Sequence, residues 1–238
     1  MLKTVSAIAA ALIVTAAATA QTIPVPRAAT GRDSAPKPPS VQRSTPLASN
    51  AGGPQQPLDQ GAMVERVSAY LSNTQQLSGR FVQIGPDGSR SQGEFFILKP
   101  GRVRFEYDPP SVIAVIADGQ TIAVRDQRLA TQDIISLSQT PLRFLVADRV
   151  DLARDTNLVA VGADEQFVTV VIEEQQLVGT NRLMLKFGAQ DFKLRQWTVT
   201  DPQGYDTTVA VYNLDASKKL DPALFQINYE NPDTQNAR

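Results

Sequence analysis

The stretch Gly93-Glu94-Phe95-Phe96-Ile97-Leu98-Lys99-Pro100-Gly101-Arg102-Val103-Arg104-Phe105-Glu106-Tyr107 carries the period that decides the fold. From Arg102 onward every second residue is apolar. Val103, Phe105 and Tyr107 share one face of an extended strand, and Arg102, Arg104 and Glu106 share the other. Successive side chains of a strand point to opposite sides, so this alternation predicts a sheet with one dry and one wet face. Gln92 to Leu98 reads as the partner strand, and Lys99-Pro100-Gly101 as the turn between them. Asp108-Pro109-Pro110 ends the second strand, because proline has no N–H to give to a ladder.

Working outward, the same period recurs. Arg80 to Ile84 alternates and is followed by the turn Pro86-Asp87-Gly88-Ser89. Val112 to Ala117 and Gln120 to Arg125 flank Asp118-Gly119, a strong hairpin signal. Later runs are Asn157 to Val161, Gln166 to Glu173, Arg182 to Phe187, Lys193 to Thr200 and Tyr205 to Leu214. Turn residues such as Gly162-Ala163-Asp164 and Asp201-Pro202-Gln203-Gly204 separate them. About ten strands on short loops predict an antiparallel meander. Residues 58–238 have the length of one domain.

Two segments break the period. From Asp59 to Leu77 apolar residues fall at Met63, Val64, Val67, Tyr70 and Leu71, the spacing of three and four that marks one face of a helix. Ser78-Gly79 reads as its end. The face thins beyond Leu71, which predicts a helix lying on the surface. From Thr131 to Ala153 no period of two survives. Thr140-Pro141 reads as a helix start, with Thr as N-cap and Pro in the first turn. Leu142, Leu145, Val146 and Val150 then follow with helical spacing. These two segments are the covers available to the apolar face of a curved sheet. What they enclose is either a packed core or a ligand cavity.

The chain ends read differently. Lys3, the apolar run Val5 to Val14 and the small residues of Ala18-Thr19-Ala20 make a secretory signal, predicted at residues 1–20. The run is shorter than the roughly 20 apolar residues a bilayer requires. Residues 21–57 hold eight prolines and few large apolar residues, and read as a disordered or polyproline-like tether. The chain contains no Cys and no His. An exported domain of this kind must hold itself by its core, without disulfides. The usual general base and the commonest zinc ligand are missing, so no metal, catalytic residue or cofactor is expected. Without Lys3 there are 22 basic and 24 acidic residues, and no basic stripe points to nucleic acid. No coiled coil or long apolar surface run is visible, which predicts a monomer.

An ordered set of these features resembles the LolA-type outer-membrane lipoprotein carriers, from about Met63 to Asn228. Ser78-Gly79-Arg80-Phe81-Val82-Gln83 follows the first helix, as a small residue, Phe and Gln do in that family. Gly93 to Tyr107 is similar to the family's strand pair with a basic residue before proline. Asp118-Gly119 resembles its hairpin, and Thr140-Pro141-Leu142-Arg143-Phe144-Leu145 its mid-chain helix start.

The resemblance implies a mainly β fold: an antiparallel, incompletely closed β-barrel with a helical lid. It also implies a periplasmic carrier that takes acylated lipoproteins from an inner-membrane ABC-type releasing complex and delivers them to an outer-membrane acceptor. Each buried methylene is worth about 0.8 kcal/mol, so bare acyl chains do not cross water at a useful rate. On the same resemblance, Val67 and Leu71 of the first helix, Val103 and Phe105 of the sheet, and Leu142 and Leu145 of the lid face an acyl-chain cavity. Lys99 takes the place of a basic residue, Arg in well-known members, that ties sheet to lid. Lysine lacks the planar donor fork of arginine. The carrier reading expects an apolar cavity of several hundred cubic ångströms.

Two other readings stand beside it. The same architecture serves envelope-stress sensors and carriers of free lipids or glycolipids. A carboxylate hydrolase needs a converging acid pair. The most obvious pair, Glu173-Glu174, sits on a strand, where neighbours point to opposite faces; a second pair, Asp118 with Asp126, depends on the fold.

Overall fold

The computed structural model describes residues 59–176 and 179–229. The expected signal at 1–20 and tether at 21–57 lie outside the described residues. The chain opens with helix α1 (Gln60–Asn73). Six strands follow: β1 (Gln76–Ile84), β2 (Arg90–Leu98), β3 (Arg102–Tyr107), β4 (Ile113–Asp118), β5 (Thr121–Asp126) and β6 (Thr131–Ser136). A 3-10 turn (Leu137–Gln139) and the one-turn helices α2 (Arg143–Val146) and α3 (Leu152–Asp155) come next. Then come β7 (Asn157–Ala163), β8 (Phe167–Gln176), β9 (Gly179–Gly188), β10 (Leu194–Thr200) and β11 (Asp206–Asp215), and a 3-10 turn at Pro222–Phe225.

All eleven strands form one antiparallel sheet in the order β6-β5-β4-β3-β2-β1-β11-β10-β9-β8-β7. Two meanders are joined where β1 pairs with β11. The edges are β6 and β7, which do not pair, so the sheet curls without closing. The chain passes between these two edges through α2 and α3. The fold is thus an unclosed antiparallel β-barrel with a helical lid.

The quoted stretch forms β2 and β3 as read, with Gly93 opposite Tyr107 and Phe95 opposite Phe105. Gly93 has a steric reason to be glycine. A Cβ there would lie 1.9 Å from the carbonyl oxygen of Glu106 and 2.9 Å from the ring of Phe81. Phe81 is the partner of Gly93 across the β1–β2 ladder, so its ring covers the missing side chain.

Four expectations are corrected. The first helix stops at Asn73 and does not run to Leu77. Thr74 closes the last turn with both its N–H (3.0 Å) and its hydroxyl (2.8 Å) on the carbonyl of Tyr70. Ser78 and Gly79 belong to β1, held there by pairing with β2. Nor does α1 lie on the surface: Met63, Val64, Val67 and Leu71 are buried, because the helix sits on the concave face that the open barrel leaves uncovered. Thr131–Ser136 is strand β6, in register with β5 from Asp126↔Thr131 to Thr121↔Ser136. As an edge strand it buries little on either face, so its sequence shows no alternation. Finally, Thr140 does not cap the mid-chain helix. Its hydroxyl donates back to the carbonyl of Leu137 (3.0 Å), and α2 begins at Arg143.

The core fills the concave side, where Phe81, Phe95, Phe105 and Trp197 meet the apolar faces of α1 and α2. Phe105 is the hub: it meets Phe81 edge-on at 5.1 Å and Trp197 at 6.2 Å, and stacks on Phe95 at 6.0 Å. Such aromatic pairs add about 0.5–1.5 kcal/mol beyond area burial. Strand β4 is buried on both faces from Ala114 to Ala117. The C-terminal turn explains this, since it packs against β3 and β4 and buries Phe225, while Arg104 donates to the carbonyl of Leu224 (3.1 Å).

Candidate functional site

Among the described residues, a set of directional contacts holds the helical lid to the sheet. At the turn between β2 and β3, Lys99 is buried and its ammonium donates to the carbonyl of Leu71 near the end of α1. Burial pushes the Lys99 pKa down to about 8, against the opposing pull of Asp148. Two residues on, the N–H of Gly101 donates to the carbonyl of Val146 in α2 (2.8 Å). One turn of chain therefore touches both covers. Gly101 has φ +73°, and a Cβ there would fall 2.7 Å from the Cα of Gly119, so glycine is required where these two turns meet.

The covers are tied to each other by serines. Ser72 of α1 accepts from the N–H of Val150 (3.1 Å), and Ser68 from the N–H of Leu152 (3.1 Å). The guanidinium of Arg66 lies 3.8 Å above the ring of Phe192, docking α1 on the turn between β9 and β10. On the other side, Arg143 of α2 pairs with Glu174 of β8 (2.5 Å), and Gln176 donates to the carbonyl of Gln139 (2.9 Å).

Val67, Leu71, Val103, Phe105, Leu142 and Leu145 all lie in one buried apolar cluster between sheet and lid. Among the described residues, Leu71 and Leu145 of this set border a small space. The space lined by Tyr70, Leu71, Leu77, Ile97, Lys99 and Leu145 measures about 20 Å³. The apolar side chains of α1 and α2 pack there against those of the sheet. Among the described residues, two grooves open to the outside flank the lid. One of about 530 Å³ runs between α1, α3 and β7, past Val64, Ser68, Val150 and Leu158. The other, about 760 Å³, lies between the turns at Gly101 and Gly119 and the segment 136–147.

The acid pairs do not converge. Glu173 faces outward and pairs with Arg182 (2.7 Å), whereas Glu174 faces the lid and pairs with Arg143. Asp118 and Asp126 sit at opposite ends of the β4–β5 hairpin. Each caps its own turn: Asp118 accepts from the N–H of Gln120 (2.9 Å), and Asp126 from the N–H of Arg128 (2.9 Å).

Sequence reasoning passed over a polar group on the inner face. Asn181 stands in phase with Leu183, Leu185 and Phe187, and Glu174 with Val168, Val170 and Ile172. Asn181 is 1% exposed. The signal was present, since a polar residue that keeps step with buried ones is itself inward-facing. On another part of the face, Tyr107 donates its hydroxyl to the Oε1 of Gln83 (2.7 Å), and burial raises its pKa well above the ordinary tyrosine value.

The family model described as outer membrane lipoprotein carrier protein LolA matches residues 72–228, which takes in every strand and both mid-chain helices.

The chain belongs to the LolA family.

Among curated relatives, this LolA-family chain is 24% identical over 173 residues to an outer-membrane lipoprotein carrier protein of Azotobacter vinelandii, covering 68% of this chain and 82% of that one. It is 25% identical over 181 residues to the protein of the same description in Pseudomonas aeruginosa, covering 70% and 84%. Among solved structures it is similar to a LolA superfamily protein from Nitrosomonas europaea, at 11% identity and TM-score 0.40, covering 70% of this chain and 97% of that one. It is also similar to MucB, solved in complex with MucA, at 17% identity and TM-score 0.37, covering 72% and 61%. The family is one of lipoprotein carriers, which work by binding and release and not by catalysis.

Proposed function

We propose that this protein is a periplasmic carrier that binds the acyl chains of lipoproteins released from the inner membrane and delivers them to the outer membrane. The observation that carries the reading is the apolar interior of an unclosed barrel, covered among the described residues by helices that polar contacts hold to the sheet. The family match to lipoprotein carriers supports it. Val67, Leu71, Val103, Phe105, Leu142 and Leu145 would line the acyl chains, and Lys99 would latch the sheet to α1. The partners are then an ABC-type releasing complex on one side and an outer-membrane acceptor on the other.

The packing of α1 and α2 on the sheet suits a carrier that has to let go. Drug-sized ligand pockets run to about 300–1,000 Å³, and in this reading the lid moves outward to admit acyl chains. Opening breaks the contacts of Lys99, Gly101 and Arg143 and separates apolar surfaces. That free energy is subtracted from binding, which keeps the carrier weaker than the membrane that receives its cargo.

Native mass spectrometry of the mature protein from a bacterial envelope tests the reading. An added mass equal to a triacylated lipoprotein is the expected result. Bound free lipid without protein would transfer the assignment to a lipid carrier of the same fold. A protein that arrives empty and also fails to bind a fluorescent acyl probe would overturn the carrier reading.

A further inference from the structure

The inner face of the β8–β9 hairpin turns from apolar to polar at the end where the lid crosses it. Beyond Ile172 and Leu183 the next inward positions are Glu174 and Asn181, which are direct cross-strand partners. Their Cβ atoms are therefore roughly 5 Å apart. Neither the Nδ2 nor the Oδ1 of Asn181 has a hydrogen-bond partner. Glu174 directs Oε1 to Arg143, while its Oε2 is buried and unpaired. Gln176, one inward position further, holds the carbonyl of Gln139, so the lid segment lies across this end of the hairpin. Nearly all buried polar groups in folded proteins are paired. Here three unpaired atoms belong to one cross-strand pair, at the border of an apolar interior.

We propose that Asn181 and Glu174 form a polar subsite that receives the amide-bearing head of an N-acylated ligand whose hydrocarbon chain lies in the apolar interior. The proposal rests on the acyl-carrier reading and goes beyond it in naming the head group. The donor and acceptor inventory makes the choice. Asn181 offers N–H donors and one carbonyl, and the free oxygen of Glu174 only accepts. Their complement is a group that both donates and accepts across one plane, which is an amide. Its carbonyl takes a hydrogen bond from Nδ2 of Asn181, and its N–H, which points the opposite way in a trans amide, gives one to Oε2 of Glu174. A phosphate head does not fit, because it has no N–H to give. It would also set its negative charge against a carboxylate whose arginine is already engaged.

The test compares two probes on the full mature chain: an N-hexadecanoyl dipeptide amide and the matched ester, which lacks the N–H. Affinities come from displacement of a fluorescent acyl reporter. Wild type should bind the amide about tenfold or more tightly than the ester, since a site built to pair an N–H rejects the analogue without it. Asn181→Leu should bring that ratio close to one. It should also raise the melting temperature, because it removes an unpaired buried amide. Should Asn181→Leu fail to fold, Asn181→Ala reports the same ratio. Equal affinity of wild type for both probes overturns the subsite and leaves the carrier reading standing. A wild-type preference retained in the variants also overturns it, since Asn181 is then a structural polar residue served by buried water. If wild type binds neither probe nor the reporter, the carrier reading fails and the subsite with it.

Discussion

The ammonium of Lys99, on the turn between β2 and β3, donates to the main-chain carbonyl of Leu71 in the last turn of α1. A helix leaves its final carbonyls without partners inside the helix. This contact therefore satisfies a group that would otherwise be buried unpaired, and it joins the sheet to a cover. Lys99→Met should lower stability by about 1–3 kcal/mol, the usual consequence of orphaning a buried acceptor. Urea unfolding measures the loss. Hydrogen exchange should show it concentrated in α1.

The same lysine makes stability depend on pH in a defined direction. In the unfolded chain its pKa is 10.5, and in the folded chain it is about 8. Between those values the unfolded state binds more protons, so the contribution of Lys99 to stability increases as pH rises from about 8 to 10.5 and is flat below about 8. The slope from one proton is at most about 1.4 kcal/mol per pH unit. The difference in unfolding free energy between wild type and Lys99→Met, measured at pH 7, 8.5 and 10, should widen with pH. A difference that stays constant would mean that Lys99 is solvated in the folded protein.

Phe105 should behave as a core residue. It is fully buried among Phe81, Phe95 and Trp197. Phe105→Ala should lose about 3–5 kcal/mol by chemical denaturation. Phe105→Glu should fail to fold, because it places an unpaired charge in that ring cluster. A folded Phe105→Glu protein that only loses acyl-probe binding would show that the aromatic cluster opens readily to water.

Gly93→Ala should be far more damaging than an alanine elsewhere in a strand. The new methyl meets the carbonyl of Glu106 and forces β2 away from β3. Loss of cooperative thermal unfolding is the expected readout, with Gly162→Ala as the control, since a Cβ at Gly162 meets nothing within 4 Å.

Arg143→Ala should loosen the lid and leave the sheet intact. The ion pair with Glu174 is about a third exposed on the arginine side. Contacts of that kind contribute about 0.2–1 kcal/mol. Hydrogen exchange over residues 137–146 should accelerate by about fivefold at most, with the central strands β1 and β11 unchanged.

The strands were legible because nine of the eleven have at least one face in the core, and burial on one face imprints a period of two. Val103, Phe105 and Tyr107 show it plainly. Strand β6 did not show it, since an edge strand with little burial needs only its ladder with β5. The end of α1 was misplaced for a related reason. Ser78-Gly79 has the composition of a helix stop, but pairing with β2 had already claimed the chain from Gln76. Thr140-Pro141 carried a real start signal, displaced because the hydroxyl of Thr140 found the carbonyl of Leu137 instead.

The amino-acid sequence by itself determined the antiparallel β architecture, the order of its hairpins, the six apolar positions between sheet and lid, and the family. The architecture follows from periodicity and turn chemistry, and the six positions and the family from the resemblance of an ordered set of motifs, all local properties of the chain. Only the tertiary structure decided that β6 and β7 are the two edges of the open sheet, that α1 buries its apolar face on that sheet, and that Lys99 reaches the carbonyl of Leu71. It alone set Asn181 beside Glu174 with their polar atoms unpaired. Those outcomes depend on which residues meet across the curl of the sheet. Contacts between positions far apart in the chain leave no periodic trace in the sequence.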